Sequence, residues 1–106
     1  MDVEPFAVCL LHAGWRLRLP GNPGTVLHFV LDGTGTLRSP QGDWELGPQM
    51  LAVVPVDVPH SLECGTGPLS DQVIRSVPEC EGMLEIEAGA GGSADLRIAC
   101  GLIQVT

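Results

Sequence analysis

The feature that most constrains this chain is the spacing of its glycines and prolines. Between residues 27 and 60, short apolar stretches are interrupted every few residues by Gly, Pro or Asp. A typical helix needs roughly ten uninterrupted residues, whereas strands of roughly four to eight residues fit between such breaks. Short strands separated in this way pair antiparallel and roll into a barrel or a sandwich. The spacing therefore predicts an all-β fold.

The early strands show which of their faces are buried. Leu17 and Leu19 alternate with Arg16 and Arg18, the period of two expected for a strand with one face in water. We expect the two arginines to point to solvent. Residues 26–31 are apolar on both faces except at His28, which predicts a central strand and an at least partly buried imidazole.

Turn residues divide the rest of the chain. Gly and Pro clusters predict a loop at residues 20–24, hairpin turns at 32–35 and 39–43, and a loop at 88–94. The segments between them predict further strands at residues 6–12, 36–38, 51–54, 60–64, 73–77, 83–87 and 96–105, with 51–54 a short buried strand.

Length and charge limit the function. The 106 residues are expected to form one domain spanning residues 1–106. Thirteen acids against five arginines and no lysine give a formal charge of −8, which repels nucleic-acid phosphates and anionic membranes. The sequence has no apolar run of about 18 residues and no basic export signal at its start. We therefore expect a cytoplasmic protein without direct nucleic-acid or membrane contact.

The four cysteines are scattered, and none forms a Cys-x-x-Cys pair. Without an export signal, free thiols are expected. Cys9 and Cys100 lie within apolar runs and are predicted to pack as small hydrophobic residues. A bridge between Cys64 and Cys80 is the alternative for the other two.

Several motifs resemble the cupin superfamily. A strand ending in Val-Leu-Asp-Gly-Thr-Gly at residues 30–35 precedes Gly47, Pro55 and the Pro-His pair at residues 59–60. The resemblance is closest to the N-terminal cupin-type domain of AraC-family transcription regulators, through His-Phe-Val-Leu-Asp-Gly at residues 28–33. It implies a small antiparallel double-stranded β-helix, the jelly-roll barrel. It also implies that the domain senses a ligand.

The motif of metal-binding cupins is incomplete here. That motif has a His-x-His with a downstream Glu, followed by a second-motif His, and only His60 matches. His28 resembles the regulator-type histidine. Barrel closure could still assemble a set from His12, His28, His60 and Glu63. We expect no cofactor, with a divalent metal at His28 and His60 as the less favoured alternative.

These observations lead to a predicted site and two candidate functions. The ligand-binding residues are predicted to be His28, His60, Trp15 and Trp44, although each tryptophan could instead belong to the core. The favoured function is a non-catalytic regulatory domain that binds a small-molecule effector, with no catalytic residues. The alternative is a small stand-alone metal-dependent cupin enzyme, an oxygenase or an isomerase, with a non-standard ligand set. The sequence end at residues 102–105 could pair with a second copy, so we also expect a homodimer.

Overall fold

The computed structural model describes residues 2–73 and 84–104, and within them every regular element is a strand. The strands are β1 (Asp2–Leu11), β2 (Trp15–Leu19), β3 (Thr25–Gly33), β4 (Gly35–Ser39), β5 (Gly42–Leu46), β6 (Leu51–Val54), β7 (His60–Cys64), β8 (Ser70–Val73), β9 (Leu84–Ala88) and β10 (Leu96–Gln104). The predicted all-β fold is confirmed. None of the described segments forms a helix that could cross a membrane.

Two five-stranded sheets pack face to face. Sheet I has the order β6-β3-β10-β1-β9, and sheet II has the order β5-β4-β7-β2-β8. Neighbouring strands run antiparallel except at one edge of each sheet, where β9 pairs parallel with β1 and β8 pairs parallel with β2. Both sheets are therefore mixed, and the arrangement is consistent with a cupin barrel.

The core lies between the sheets and is aliphatic. Leu17 and Leu62 from sheet II meet Leu11, Leu96 and Ile98 from sheet I, and none of these side chains has exposed surface. The alternation predicted for β2 is confirmed, because Leu17 and Leu19 face inward whereas the arginines occupy the opposite face. Burial of these aliphatic side chains is the main stabilising contribution, at roughly 25 cal/mol per Å² of apolar surface.

Residues 32–35 do not form the predicted hairpin turn. β3 belongs to sheet I and β4 to sheet II, so this segment carries the chain from one sheet to the other. Gly33 has a φ of 89°, and a Cβ on it would overlap the carbonyl oxygen of Asp95. A Cβ on Gly35 would overlap the carbonyl oxygen of Glu63. The two glycines therefore let the crossing chain pass close to the backbone of its neighbour in each sheet, Asp95 beside β10 in sheet I and Glu63 of β7 in sheet II.

The second predicted turn, at residues 39–43, is a true hairpin. β4 and β5 pair antiparallel, with Ser39 opposite Gly42. The Ser39 hydroxyl donates to the Gly42 carbonyl at 3.1 Å and accepts from the Gln41 amide at 3.1 Å. This hairpin forms the edge of sheet II and borders the groove described below.

The predicted strand at residues 51–54 exists, but the prediction that it is buried is wrong. β6 is an edge strand that pairs with β3 alone. Leu51 and Val53 are each 56% exposed because their side chains lie on the outer face of sheet I, whereas Val54 is buried. Phe29, opposite Leu51 on β3, is also exposed.

The remaining predicted strands are found in part. The strand predicted at 6–12 corresponds to β1, which begins earlier and ends one residue sooner, at Leu11, and strands 36–38 and 60–64 correspond to β4 and β7. β9 and β10 match the predictions at 83–87 and 96–105, except that residues 83 and 105 lie outside the described residues. Most of the predicted strand at 73–77 also lies outside them, and β8 instead covers Ser70–Val73. The expectation that residues 102–105 form a free edge is wrong for the described part, because Leu102 and Ile103 are paired with β1 on one side and β3 on the other.

Candidate functional site

Two predicted site residues, His28 and His60, meet in the interior. The imidazoles come from β3 of sheet I and β7 of sheet II, and their Nε2 atoms lie 2.7 Å apart. His28 has no exposed surface and His60 is 6% exposed. The strand period explains the meeting, because His28 shares its inward face with Val30 and His60 shares its inward face with Leu62. The predicted burial of His28 is confirmed.

Burial keeps both imidazoles neutral. Burial, together with the smaller effect of the neighbouring His60, lowers the pKa of His28 from 6.5 to about 3. Burial also lowers the pKa of His60, although the bond to the Val58 carbonyl opposes that effect. A charged imidazole in this dry setting would lose its hydration without gaining an anionic partner.

The hydrogen bonds of the pair run in one direction. His60 Nδ1 lies 3.2 Å from the Val58 carbonyl oxygen, which can only accept, so His60 donates from Nδ1. A neutral His60 must then accept at Nε2, and His28 donates to it from its own Nε2. His28 Nδ1 is left as an acceptor, 3.1 Å from the Cys100 thiol. The tautomer of each ring thus follows from its neighbours.

The chain of contacts continues to a second thiol. The sulfur atoms of Cys9 on β1 and Cys100 on β10 lie 3.1 Å apart, and both residues are buried thiols. The predicted burial of these cysteines is confirmed. The contact with Cys9, reinforced by burial, raises the pKa of Cys100 well above its usual value. Cys64 is also a buried thiol, and Cys80, its predicted alternative partner, lies outside the described residues.

These residues do not fit a cupin-type metal. The ring nitrogens of His28 and His60 already hold each other, a thiol and a carbonyl oxygen. His12 lies 2.7 Å from Glu87, and Glu63 faces away from the core toward arginines. Across residues 2–73 and 84–104, no three His, Cys, Asp or Glu side chains converge in a way that could hold a metal ion.

The two tryptophans lie apart from the histidine pair. Trp15 is half-buried and packs against the Gly89 backbone, where a Cβ would come within 2.7 Å of the indole. Trp44 is on edge strand β5 and is 51% exposed. The structure therefore brings together two of the four predicted ligand-binding residues.

A groove that the sequence did not reveal lies on the outer face of sheet II. Its volume is about 540 Å³, within the range of small-molecule sites, which is about 300–1,000 Å³. The main polar side chains that line it are Arg16, Arg18, Arg38, His60, Ser61 and Glu63. The exposed edge of His60 thus faces the groove while its Nε2 accepts from buried His28. The alternation in β2 was the available signal, but it did not reveal which strands flank β2.

Ion pairs order the arginines of this groove. The Glu63 side chain is 6% exposed, and its Oε2 accepts from Arg38 Nε at 2.7 Å and lies 3.6 Å from Arg16 Nη1. Arg16 Nε donates to Asp71 Oδ1 at 2.6 Å, and this bond holds the pKa of Asp71 below its usual value. Arg16 and Arg18 were expected simply to face solvent. Both do lie on the outer face, and the structure adds that both are ion-paired there.

Comparisons with known proteins agree with this architecture. A family profile described as Cupin matches residues 3–106. Among solved structures, the chain is similar to a conserved protein of unknown function from Streptococcus pyogenes, with a TM-score of 0.54 and 14% identity. The match covers 90% of this chain and 59% of that protein, so it shows a shared fold over part of a longer chain. A search of curated proteins finds no match.

Proposed function

This chain belongs to the cupin family, and from that premise we propose that it is a non-catalytic, ligand-sensing domain of the AraC-regulator type. The proposed effector is a small molecule that enters the groove on sheet II and contacts His60. Similarity to the AraC group rests on the motif at residues 28–33, in which His28 is the characteristic histidine.

The observation that carries this proposal is the position of His60. Its ring borders the groove on one side and bonds to buried His28 on the other. Because each ring nitrogen already has a hydrogen-bond partner, the two rings are suited to a hydrogen-bonding relay rather than to holding a metal. A ligand at the groove would thus meet a polar side chain that connects this surface to the interior.

The same connection suggests how binding would be transmitted. A ligand that bonds to His60 competes with the Val58 carbonyl for Nδ1 and changes how the ring accepts from His28. His28 in turn contacts Cys100 on β10, which lies at the centre of sheet I. A ligand shifts such an equilibrium only by the difference in its affinity for the two arrangements.

The test is a thermal-shift screen of small metabolites of varied charge, run on the wild type and on His60→Gln. A ligand that binds only the native state raises the melting temperature. We expect at least one compound to do so in the wild type, with a clearly smaller shift in the variant. Equal shifts in both proteins would contradict the role of His60.

Two further measurements decide between this proposal and the alternative enzyme. Elemental analysis of protein purified without chelator would overturn the proposal if it found stoichiometric Fe, Mn, Ni or Zn that is lost in His60→Ala. Reading the gene beyond this segment tests the AraC assignment. We expect a following domain with two helix-turn-helix units. A homodimer stays a prediction, to be tested by sedimentation.

A further inference from the structure

The groove on sheet II concentrates the positive charge of an acidic chain. Three of the five arginines in the sequence line it, although the chain carries a formal charge of −8. Their carboxylate partners, Asp43, Glu63 and Asp71, balance them in number. Any attraction for an anion therefore depends on where individual N–H groups point, and not on net charge.

One cross-strand row presents these donors together. Ser61 on β7 lies opposite Arg18 of β2 on one side and opposite Arg38 of β4 on the other. Neighbouring strands are about 4.8 Å apart, so the two guanidinium groups flank the hydroxyl and can reach one group placed above it. The planar guanidinium matches the two oxygens of a carboxylate or phosphoryl group.

Several donors in this row have no protein partner. Arg18 donates from Nε to Asp71 at 3.1 Å, and no other described residue accepts from its terminal nitrogens. Arg38 uses Nε and Nη1, which leaves Nη2 unbonded within the described part of the chain. The Ser61 hydroxyl likewise makes no hydrogen bond to a described residue, although Ser61 is only 7% exposed.

The adjacent row holds these side chains in place. Buried Glu63 accepts from Arg38, and Asp71 accepts from both Arg16 and Arg18. Because carboxylates fix the near side of each guanidinium, less side-chain freedom is lost when a ligand bonds to the far side. The remaining donors therefore form a partly preorganised site for an oxyanion, which accepts their hydrogen bonds.

We propose that the groove binds a small molecule through an oxyanion, a carboxylate or phosphoryl group, held by Arg18, Ser61 and Arg38. This inference rests on the proposed function, since it assigns the ligand class of the same groove. The rest of the ligand would extend toward His60 at the inner edge of the groove.

Isothermal titration with inorganic phosphate and, separately, with glutarate tests the inference. At low ionic strength we expect saturable binding of at least one probe. Arg18→Gln should weaken it at least about tenfold, because a charged, directed donor is lost. Arg18→Lys should also weaken it, because it keeps the charge but not the planar fork. Ser61→Ala, a smaller change to the fold, should weaken it about threefold. Arg97→Gln, an exposed arginine on β10, should stay within about twofold of the wild type.

The outcomes separate the two proposals. Tighter binding of glutarate would assign a carboxylate ligand, and tighter binding of phosphate a phosphoryl ligand. The oxyanion site would be overturned if neither probe bound saturably. It would also be overturned if Arg18→Gln and Ser61→Ala both bound the probe as tightly as the wild type does. In that case, His60-dependent thermal shifts with uncharged compounds would leave the sensing proposal standing. Probe binding that depends on Arg18, together with thermal shifts in the metabolite screen that are equal in wild type and His60→Gln, would instead support the oxyanion site and contradict sensing through His60.

Discussion

Replacing His28 by glutamine should change how the stability of this domain depends on pH. The glutamine amide can donate to His60 and accept from Cys100, as the imidazole does, but it does not titrate. Burial lowers the pKa of His28 from 6.5 to about 3 in the folded chain. As pH falls below 6.5, the unfolded chain therefore takes up a proton that the folded chain refuses. The stability contributed by neutral His28 is complete above pH 6.5 and is lost between about pH 6.5 and pH 3.

The size of the effect follows from the same two values. A difference of one pKa unit corresponds to about 1.4 kcal/mol, so at pH 5 the titration of His28 should destabilise the wild type by about 2 kcal/mol relative to pH 7. At pH 7 we expect His28→Gln to be less stable by about 1–3 kcal/mol, because the amide does not fill the ring's space. The difference in the free energy of unfolding between wild type and His28→Gln should therefore shift by about 2 kcal/mol in favour of the variant at pH 5.

Urea unfolding at the two pH values measures this gap. The pKa of His60 is also lowered, so the wild type should lose additional stability on acidification. Comparing variant with wild type isolates the contribution of His28. Ile98→Val is a matched control, because it alters a fully buried, non-titrating side chain and should cost about 0.5–1.5 kcal/mol at both pH values. A gap for His28→Gln that is the same at pH 5 and pH 7 would refute the buried neutral pair.

Three other predictions test the packing. Gly33→Ala should strongly destabilise the fold or prevent it, because the new Cβ would overlap the Asp95 carbonyl oxygen. Gly67→Ala is the control: Gly67 also has a positive φ, but nothing lies within 4 Å of a Cβ there, so this change should cost only about 1 kcal/mol. Similar losses for both variants in thermal unfolding would contradict the close approach of Gly33 to the Asp95 carbonyl. Leu62→Ala should lower the free energy of unfolding by about 2–5 kcal/mol, as measured by the urea midpoint, and a loss below about 1 kcal/mol would place Leu62 outside the core. Cys100 should react with iodoacetamide far more slowly in the native protein than in urea, because its raised pKa and its burial keep it a protonated, inaccessible thiol. Rapid labelling of Cys100 in the native protein, detected by peptide mapping, would contradict its burial.

Local sequence signals succeeded where the answer depended on one strand. The density of Gly and Pro excluded long helices, and the alternation in β2 correctly separated the buried leucines from the arginines. His28 could be placed in the interior because its neighbours on the same face are apolar. The same logic placed Cys9 and Cys100 in the core, since each lies in an apolar run.

The signals failed where the answer depended on which strands are neighbours. The glycine-rich turn at residues 32–35 suits a hairpin and a crossing between sheets equally well, because local backbone freedom does not specify the next pairing partner. The apolar strand β6 was expected in the core, but an edge strand has a neighbour on only one side, and its outer side chains stay exposed. Composition does not distinguish an edge position from a central one.

By itself, the sequence determined the class of fold, the inward and outward faces of β2 and the burial of a histidine on an apolar strand. These properties depend on residues within a few positions of each other, where steric freedom and side-chain period act directly. Only the tertiary structure decided that His28 meets His60, that two thiols extend this contact, and that Arg18, Ser61 and Arg38 lie in one row. Those arrangements join residues distant in the chain. Strand register aligns the arginine–serine row and the two thiols, whereas the packing of one sheet on the other brings His28 against His60.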